Sequence, residues 1–432
     1  MNSRSLCVIH LKKIIYEGAS ITQVTNKIRG TYLNHRDQAR ILSTIYGILR
    51  NYYSLSSITN LYLRKKLRNK DKDIQCILLC MVYELLHTCT PKYAVISENV
   101  QVARNIKKNW ATGMINAIGR NILNDNRTSQ INVSNETKYN HCNWMIDLIK
   151  NDWPHSWEEI LNENNLQPPF TIRTIKKNID HEKYKTILAN AGIKFEQCEF
   201  APLGLVIKNK LQARELPLFN NGAFIVQDEA AQLATELVCY TKEKRNILDV
   251  CAAPGGKTSA LLDSLLTPAN LVALDIHHNR LKILEENLKR LNFSCQIKQL
   301  DATQSNIFPK NSFDYIMLDA PCSSSGVIRR HPDIKIKKNA DNLLTTIELQ
   351  TKLLTNVWKL LEQNGILLYT TCSVFKKEND DIILRFLETH ENAELIPIKT
   401  EWGLETKAGR QILPGMSNAD GFFFSKIKKS QI

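Results

Sequence analysis

Apolar residues recur at helical spacing through the first 125 positions. Ile41, Ile45, Ile48 and Leu49 mark one helical face, and Ile74, Ile77, Leu78, Met81 and Leu85 mark another. The second of these helices is expected to begin after Asp71–Asp73. Pro91 closes that region, and a further helix is expected from Ala94 to Ile106. Glycine and proline are scarce here, which predicts an all-α bundle over residues 1–125. Residues 126–140 are rich in Asn, Ser and Thr and read as a linker.

Over residues 141–222 the pattern changes to a small α/β module. A helix is predicted around Trp144–Lys150, then strand-like Phe170–Ile175, a helix at Lys183–Ala191, and apolar Leu203–Ile207. From residue 223 to 432, short apolar runs alternate with helical stretches. The runs are Ile247–Val250, Leu271–Ala273, Gln296–Gln299, Tyr315–Leu318 and Gly365–Tyr369. That alternation predicts a parallel, doubly wound, Rossmann-like sheet, whose ligand crevice lies at the carboxyl ends of the strands.

A chain of 432 residues with 43% apolar content can fill several cores. Its formal net charge of +14 favours polyanions such as nucleic acid, and the plainer reading is solubility alone. The run Arg64-Lys65-Lys66-Leu67-Arg68-Asn69-Lys70 reads either as a solvated turn or as an RNA contact. No apolar run reaches the roughly 20 residues a membrane span needs, and the N-terminus lacks a signal-peptide core. A cytoplasmic protein is expected. Its 11 cysteines are then free thiols rather than disulfides, and no C-x-x-C pair suggests a metal. Cys76 and Cys80, inside an apolar helical pattern, read as buried small side chains.

The first strand of the sheet runs into Asp249-Val250-Cys251-Ala252-Ala253-Pro254-Gly255-Gly256-Lys257-Thr258. Glycines let backbone approach a ligand, and a helix N-terminus favours its anionic groups. The ending Gly256-Lys257-Thr258 resembles a P-loop, but that motif needs glycine where Cys251 stands, so a nucleotide triphosphatase is excluded. Asp275, at the end of the second strand, is placed to accept ribose hydroxyls, and Asp301 follows the third. The plainer alternative for each is a helix cap or turn. This much suits either NAD or S-adenosylmethionine.

Two thiols decide between them. Cys322 lies in Asp319-Ala320-Pro321-Cys322-Ser323 and Cys372 in Tyr369-Thr370-Thr371-Cys372-Ser373, both at predicted strand ends. Cytosine C5 is a poor nucleophile until a thiolate adds at C6. The ring then becomes an enamine that can attack a sulfonium methyl. A thiol of ordinary pKa, about 8.5, needs surroundings that favour thiolate. Either cysteine could attack: a Pro-Cys pair nominates Cys322, and Cys372 competes. Two small core residues at strand ends are the plainer alternative.

These residues closely resemble the bacterial RNA cytosine-C5 methyltransferases of the Sun/Fmu (RsmB) type, which act on 16S ribosomal RNA. The resemblance rests on Val226-Gln227-Asp228, Asp249–Thr258, Asp319–Ser323 and Gly326-Val327-Ile328-Arg329-Arg330-His331-Pro332-Asp333. It continues through Thr371-Cys372-Ser373-Val374, Glu378-Asn379, Leu413-Pro414-Gly415 and Asp420-Gly421-Phe422-Phe423. The N-terminal stretches Tyr46–Arg50, Tyr83–Leu86 and Pro91–Ala94 resemble a NusB-type RNA-binding bundle. The resemblance implies a NusB-like bundle, a small α/β module and a methyltransferase domain.

It further implies Cys372 as nucleophile, Cys322 as the thiol that assists product release, and Asp319 on the polar edge of cytosine. S-adenosylmethionine would be held by Cys251, Ala252, Ala253, Pro254, Gly255, Gly256 and Lys257 with Asp275, Asp301 and Asp319. Lys257, Arg329 and Arg330 would contact RNA. Two departures from the family pattern stand out: Ser324 and Ser325 before Gly326, and Gly119 where leucine is usual. Glycine inside a helix costs up to about 1 kcal/mol.

The expected partner is 16S rRNA or a small-subunit assembly intermediate, with no metal, no membrane and a monomer as the default. The same chemistry on transfer RNA is the near competitor. A non-catalytic RNA-binding assembly factor is the distant one, disfavoured by both thiols and an intact cofactor loop.

Overall fold

The computed structural model describes residues 2–124, 134–238, 246–265 and 270–431. They pack as two units: residues 1–167 with Ile328–Asn339, and residues 168–327 with 340–432.

The first unit is helical: α1 (Ser3–Tyr16), α2 (Ile21–Arg29), α3 (His35–Arg50), α4 (Tyr52–Tyr62), α5 (Lys72–His87), α6 (Lys92–Asn105), α7 (Thr112–Asn124), α8 (Asn135–Tyr139), α9 (Asn143–Asp152) and α10 (Trp157–Glu163). Helix α5 is the axis. Ile74, Cys76 through Val82 and Leu85 are all buried, so it is apolar nearly all round. It packs against α1, α3, α4 and α6. Caps set the helix starts: Ser20 and Gln23 form a reciprocal capping box on α2, and Asn34 accepts from the Asp37 amide at α3. Gly119 has a packing reason. A Cβ there would come within 2.8 Å of Ile96 Cγ1 and 3.0 Å of Met81 Sδ, so leucine would not fit this approach of α7. The described cysteines are all free thiols, and Cys76 and Cys80 are buried as expected.

Part of the expected linker is ordered helix. Residues 125–133 lie outside the described residues, but Ser134 caps α8 and Tyr139 is buried. By packing, α9 and α10 cluster with the helices before them.

The second unit begins with a four-stranded antiparallel sheet. Its strands are β1 (Phe170–Thr174), β2 (Phe195–Gln197), β3 (Gly204–Ile207) and β4 (Phe224–Val226), in the order β2-β3-β1-β4. Helix α11 (His181–Asn190) lies between β1 and β2, and α12 (Glu229–Glu236) follows β4. The short strands β2 and β4, three residues each, escaped the sequence pattern.

The large sheet follows: β5 (Asn246–Val250), α13 (Gly256–Ser264), β6 (Asn270–Asp275), α14 (His278–Arg290), β7 (Gln296–Gln299) and β8 (Phe313–Asp319). Next come α15 (Ile334–Lys337), α16 (Ala340–Trp358), β9 (Leu361–Thr371), α17 (Asp380–Thr389), β10 (Ala393–Ile396), β11 (Leu404–Glu405), β12 (Arg410–Ile412) and β13 (Phe422–Lys429). The five strands expected are present and parallel, in the order β7-β6-β5-β8-β9. The sheet as a whole is mixed. Strand β13 pairs antiparallel with β9, carries β10 and β12, and β11 closes the edge.

Alternate residues of the strands enter two separate cores. Ile247, Ala273, Tyr315 and Leu368 face one, and Leu248, Leu274, Ile316 and Tyr369 face the other. Both faces are buried, and this is why these strands read as continuous apolar runs. The chain leaves β5 toward β6 and returns on the other side at β8. The switch point therefore lies between the carboxyl ends of β5 and β8, where Val250 is opposite Leu318.

The segment holding α15 belongs by packing to the first unit, not to the catalytic region assigned from sequence. Lys335 Nζ donates to the Arg50 carbonyl at 2.8 Å and to Asn165 Oδ1 at 2.7 Å. Asp333 Oδ2 accepts from the Ile21 amide at 3.1 Å.

Candidate active site

Three strand ends build the site. Strand β5 delivers the loop Cys251–Gly255, β8 delivers Asp319 through Cys322, and β9 delivers Cys372. Asp319 pairs in register with Thr370, which places the two cysteine loops side by side.

The sulfurs of Cys322 and Cys372 lie 3.4 Å apart, although the residues are far apart in sequence. Ser324 Oγ is 3.5 Å from Cys372 Sγ. Ser324 sits in the left-handed region with φ of 61°, an uncommon conformation for a non-glycine residue and one that clusters at functional sites. Hydrogen bonding from Cys322 holds the Cys372 thiol below its ordinary pKa against the opposing effect of burial. The nearby Lys257 charge acts in the same direction, and Asp319 against it. Cys322 is pushed the other way, first by its bond to Cys372, then by burial, and by the charges of Cys372 and Glu378. Both effects favour ionisation of Cys372 over Cys322.

Lys257 and Asp319 form a close pair beside the thiols. Lys257 Nζ is 2.7 Å from Asp319 Oδ2 and 4.8 Å from the centroid of the Phe422 ring. Thr370 Oγ1 donates to the other Asp319 oxygen at 3.1 Å. The lysine is largely buried, whereas the aspartate side chain keeps 32% of its surface exposed, open to a base.

The loop after β5 fits a small cofactor. Gly255 has φ of 94°, which a side chain would disfavour, and it starts α13 with its amides pointing out of the helix. Asp275 Oδ2 accepts from the Ala253 amide at 3.3 Å and Oδ1 from the His277 amide at 2.9 Å. Oδ2 also pairs with Arg280 Nη1 at 3.5 Å, and Oδ1 keeps a lone-pair site for a hydroxyl. Asp249, buried at the end of β5, accepts from Thr258 Oγ1 at 2.6 Å through one oxygen. Its other oxygen is a buried acceptor without a hydrogen-bond partner, a position suited to a cationic or N–H group of a ligand. Burial pushes the Cys251 thiol up to about 12, so this cysteine is not a nucleophile.

Burial also pushes the Asp249 carboxyl up to about 7. In the unfolded chain this group ionises near pH 4. A raised acid favours the fold below the unfolded pKa, and that contribution fades as pH rises toward 7. Asp249→Asn is therefore expected to gain stability over the parent between pH 5 and 8, by on the order of 2 kcal/mol in the ligand-free protein. Thermal melts of both across that range check this; parallel curves would contradict it.

Asp301 stands just after β7. It accepts from the Thr303 amide at 2.9 Å and from Gln304 Nε2 at 3.2 Å, both in its own turn, and the Thr303 bonds hold its carboxyl below the usual range. Arg329 and Arg330 belong to the first unit. Arg329 is only 2% exposed, its backbone carbonyl accepting from Arg50, whereas Arg330 keeps part of its surface.

Sequence reasoning missed the frame beneath the site. Arg173 of β1 reaches α13, donating to Asp263 at 3.0 Å, to Ser259 Oγ at 3.0 Å and to Gln227 Oε1 at 2.9 Å. Glycine pairing is equally tight. A Cβ on Gly326 would stand 2.2 Å from the Gly421 carbonyl oxygen, so the loop after Cys322 can lie against the turn before β13 only with glycine at both places. The motif Gly326 and the motif Asp420-Gly421 are one contact, a relation visible only in three dimensions.

Comparison with known proteins agrees with this geometry. The family described as 16S rRNA methyltransferase RsmB/F matches residues 237–428. A ferredoxin-like domain of RsmF/B-like methyltransferases matches residues 141–214, and the NusB family matches residues 1–124. A probable ribosomal RNA small subunit methyltransferase B of Coxiella burnetii is 36% identical over 440 residues, covering 100% of both chains. The chain belongs to the RsmB/F methyltransferase family.

The RsmB relative from Pseudomonas putida is also 36% identical, over 92% of each chain. The solved structure of PH0851 shares the fold, with a TM-score of 0.84 at 22% identity over 99% of each chain. The RsmB/F match spans β5 to β13 and so includes Cys322, Cys372 and the loop after β5. The three-part organisation expected from sequence, a NusB-like bundle, a small α/β module and a methyltransferase domain, is the one found, and the middle part matches as ferredoxin-like. Among the described residues no helix is long and apolar enough to cross a membrane, and no cluster of side chains suited to a metal ion occurs.

Proposed function

We propose that this protein methylates a cytosine at C5 in 16S rRNA, drawing on S-adenosylmethionine and a covalent bond between Cys372 and C6 of the base. The observation that carries the reading is the thiol pair at 3.4 Å, with Cys372 favoured as thiolate and Cys322 as thiol. The curated relatives are named ribosomal RNA small subunit methyltransferases, which supports rRNA as the substrate class.

S-adenosylmethionine would be held by the Cys251–Lys257 loop, the unpartnered oxygen of Asp249 and the carboxylate of Asp275, with Asp301 and Asp319 at the rim. When bound, it supplies an electrophilic methyl group. Cys372 adds its thiolate to C6, and the ring electrons shift to make C5 nucleophilic. Once C5 carries its methyl, a water takes the C5 proton, and the electrons of that C–H bond return to the ring and break the C6–S bond. The S–H of Cys322 hydrogen-bonds to the departing Cys372 thiolate, so that both thiols end as they began. Asp319 and Lys257, joined beside the sulfurs, meet the polar edge of the base. The target must leave its stack to reach them, so looped or single-stranded RNA is favoured.

RNA contact is proposed for Lys257, Arg329 and Arg330; of the two arginines, Arg330 has the exposed surface a phosphate needs. The helical unit adds the exposed basic run from Arg64 to Lys70 and the exposed rings of Tyr32, Tyr93 and Trp110. Rings and cations of this kind suit stacked bases and phosphates.

Cys322→Ala tests the division of labour. It is expected to accumulate a covalent protein–RNA adduct on denaturing gels, with release slowed by about a hundredfold or more. A Cys322→Ala protein that turns over at the parental rate without adduct would refute the assigned role.

A further inference from the structure

Beneath the two sulfurs lies a carboxylate that the mechanism above does not use. Glu378 is completely buried, on the short turn between β9 and α17. Its Oε1 accepts from the Ser323 amide at 2.7 Å. Its Oε2 accepts from Ser323 Oγ at 2.5 Å and from Ser373 Oγ at 2.5 Å. Ser323 directly follows Cys322, and Ser373 directly follows Cys372. One side chain is thus bonded to the residue after each thiol, on two loops from different strands.

The surroundings reinforce this link. Ser325 Oγ lies 3.1 Å from Ser323 Oγ and 3.0 Å from Ser373 Oγ, and it accepts from the Val374 amide at 3.0 Å. Gln350 of α16 donates to the Pro321 carbonyl at 3.0 Å. The neighbouring Asn379 accepts from Thr371 Oγ1 at 2.6 Å and donates to the Ser373 carbonyl at 3.0 Å. Sulfurs on separate loops keep a fixed distance only if the loops are tied, and these ties converge on Glu378.

Charge gives the carboxylate a second effect. The titratable groups around the thiols are Asp319 and Lys257 on the Cys372 side, and Glu378 and buried Tyr369 on the Cys322 side. A negative charge nearer Cys322 opposes its ionisation and leaves the thiolate to Cys372.

We propose that Glu378 is the positioning residue of the thiol pair: its buried carboxylate ties the Cys322 loop to the Cys372 loop and sets its charge on the Cys322 side. The inference rests on the covalent reading given above. It extends that reading to a group that touches neither base nor cofactor.

Full-length Glu378→Gln is the test, because glutamine keeps the shape and loses the charge. Its kcat on 16S rRNA is expected to fall about 10- to 100-fold while KM for rRNA and for S-adenosylmethionine stays within about threefold, as for a small misplacement of reacting groups. In a Cys372→Ala background, Cys322 is expected to react with iodoacetamide at lower pH when Glu378 is glutamine, followed by peptide mass spectrometry. Glu378→Asp, which keeps the charge, is expected to restore the Cys322 pH profile.

A merely structural role would lower kcat and leave that profile unmoved, and this would overturn the proposal, as would a parental kcat. If Glu378→Gln fails to fold by thermal melting, Ser373→Ala carries the test. It cuts one arm of the link, and kcat loss at unchanged KM supports the proposal while parental kcat overturns it. Failure of the covalent reading is distinguishable. It would show as no adduct from Cys322→Ala with an intact Glu378, whereas adduct formation beside parental Glu378→Gln kinetics sinks this inference alone.

Discussion

Cys372→Ala is expected to lose methylation of rRNA by at least about a thousandfold, roughly 4 kcal/mol of transition-state stabilisation. Without a sulfur at this position, no other described nucleophile stands ready to attack C6. Cys322 is the near candidate; the bond to Cys372 that most pushes its thiol up is gone in this variant, but burial and the acidic neighbour Glu378 still push it up. Binding is a separate matter. The cofactor loop and Lys257 lie on β5 and α13, not on the Cys372 loop. Cofactor affinity is therefore expected to survive the substitution, as calorimetry with S-adenosylmethionine would record. Residual turnover near the parental rate would remove Cys372 from the mechanism. Loss of both turnover and cofactor binding would instead mean a folding defect.

The second large effect concerns stability. Arg173 and Asp263 form a buried ion pair, with side chains 4% and 0% exposed, between β1 of the small sheet and α13. Asp263 also accepts from the amides of Lys176 and Lys177, at 3.2 and 3.0 Å. Removing the guanidinium leaves a buried carboxylate with these amides alone. Breaking such a pair from one side costs about 3–5 kcal/mol. Arg173→Ala is expected to lose that much in denaturant unfolding, and to weaken cofactor binding because α13 carries Gly256 and Lys257. Arg173→Ala with Asp263→Ala should recover part of the loss, since the stranded charge is gone. A single variant within about 0.5 kcal/mol of the parent, the ordinary surface value, would contradict the account.

Much of this was legible in the chain itself. Four of the five parallel strands announced themselves because both faces of the sheet are buried there, which leaves apolar runs such as Tyr315–Leu318, whereas β7 at the end of the parallel set is mostly exposed. The strand ends then placed Cys322, Cys372 and Asp275 at one rim. The antiparallel strands were less visible. In β13 the run Phe422–Phe424 is followed by alternating lysines, and β12 has only three residues, so neither period nor length distinguishes them from loop. Helix α8 was hidden by its composition, since Asn, Glu, Thr and Lys signal a linker until Tyr139 is seen to be buried.

The site was legible as residue types but not as geometry. Two cysteines in two motifs leave both candidates open. The short Sγ–Sγ distance and the bond between the thiols are what favour ionisation of Cys372 over Cys322. Glu378 and Arg173 illustrate a second limit. Each acts through partners distant in sequence, Ser323 for one and Asp263 for the other, and nothing in local spacing connects them. Gly326 and Gly421 are the same case for backbone.

The most direct test of the central claim is to incubate the purified protein with labelled S-adenosylmethionine and unmodified 16S rRNA, with transfer RNA in parallel, and to map the label by mass spectrometry. Label on cytosine C5 in 16S rRNA alone is the predicted result. Label at another atom, or on transfer RNA instead, would contradict it.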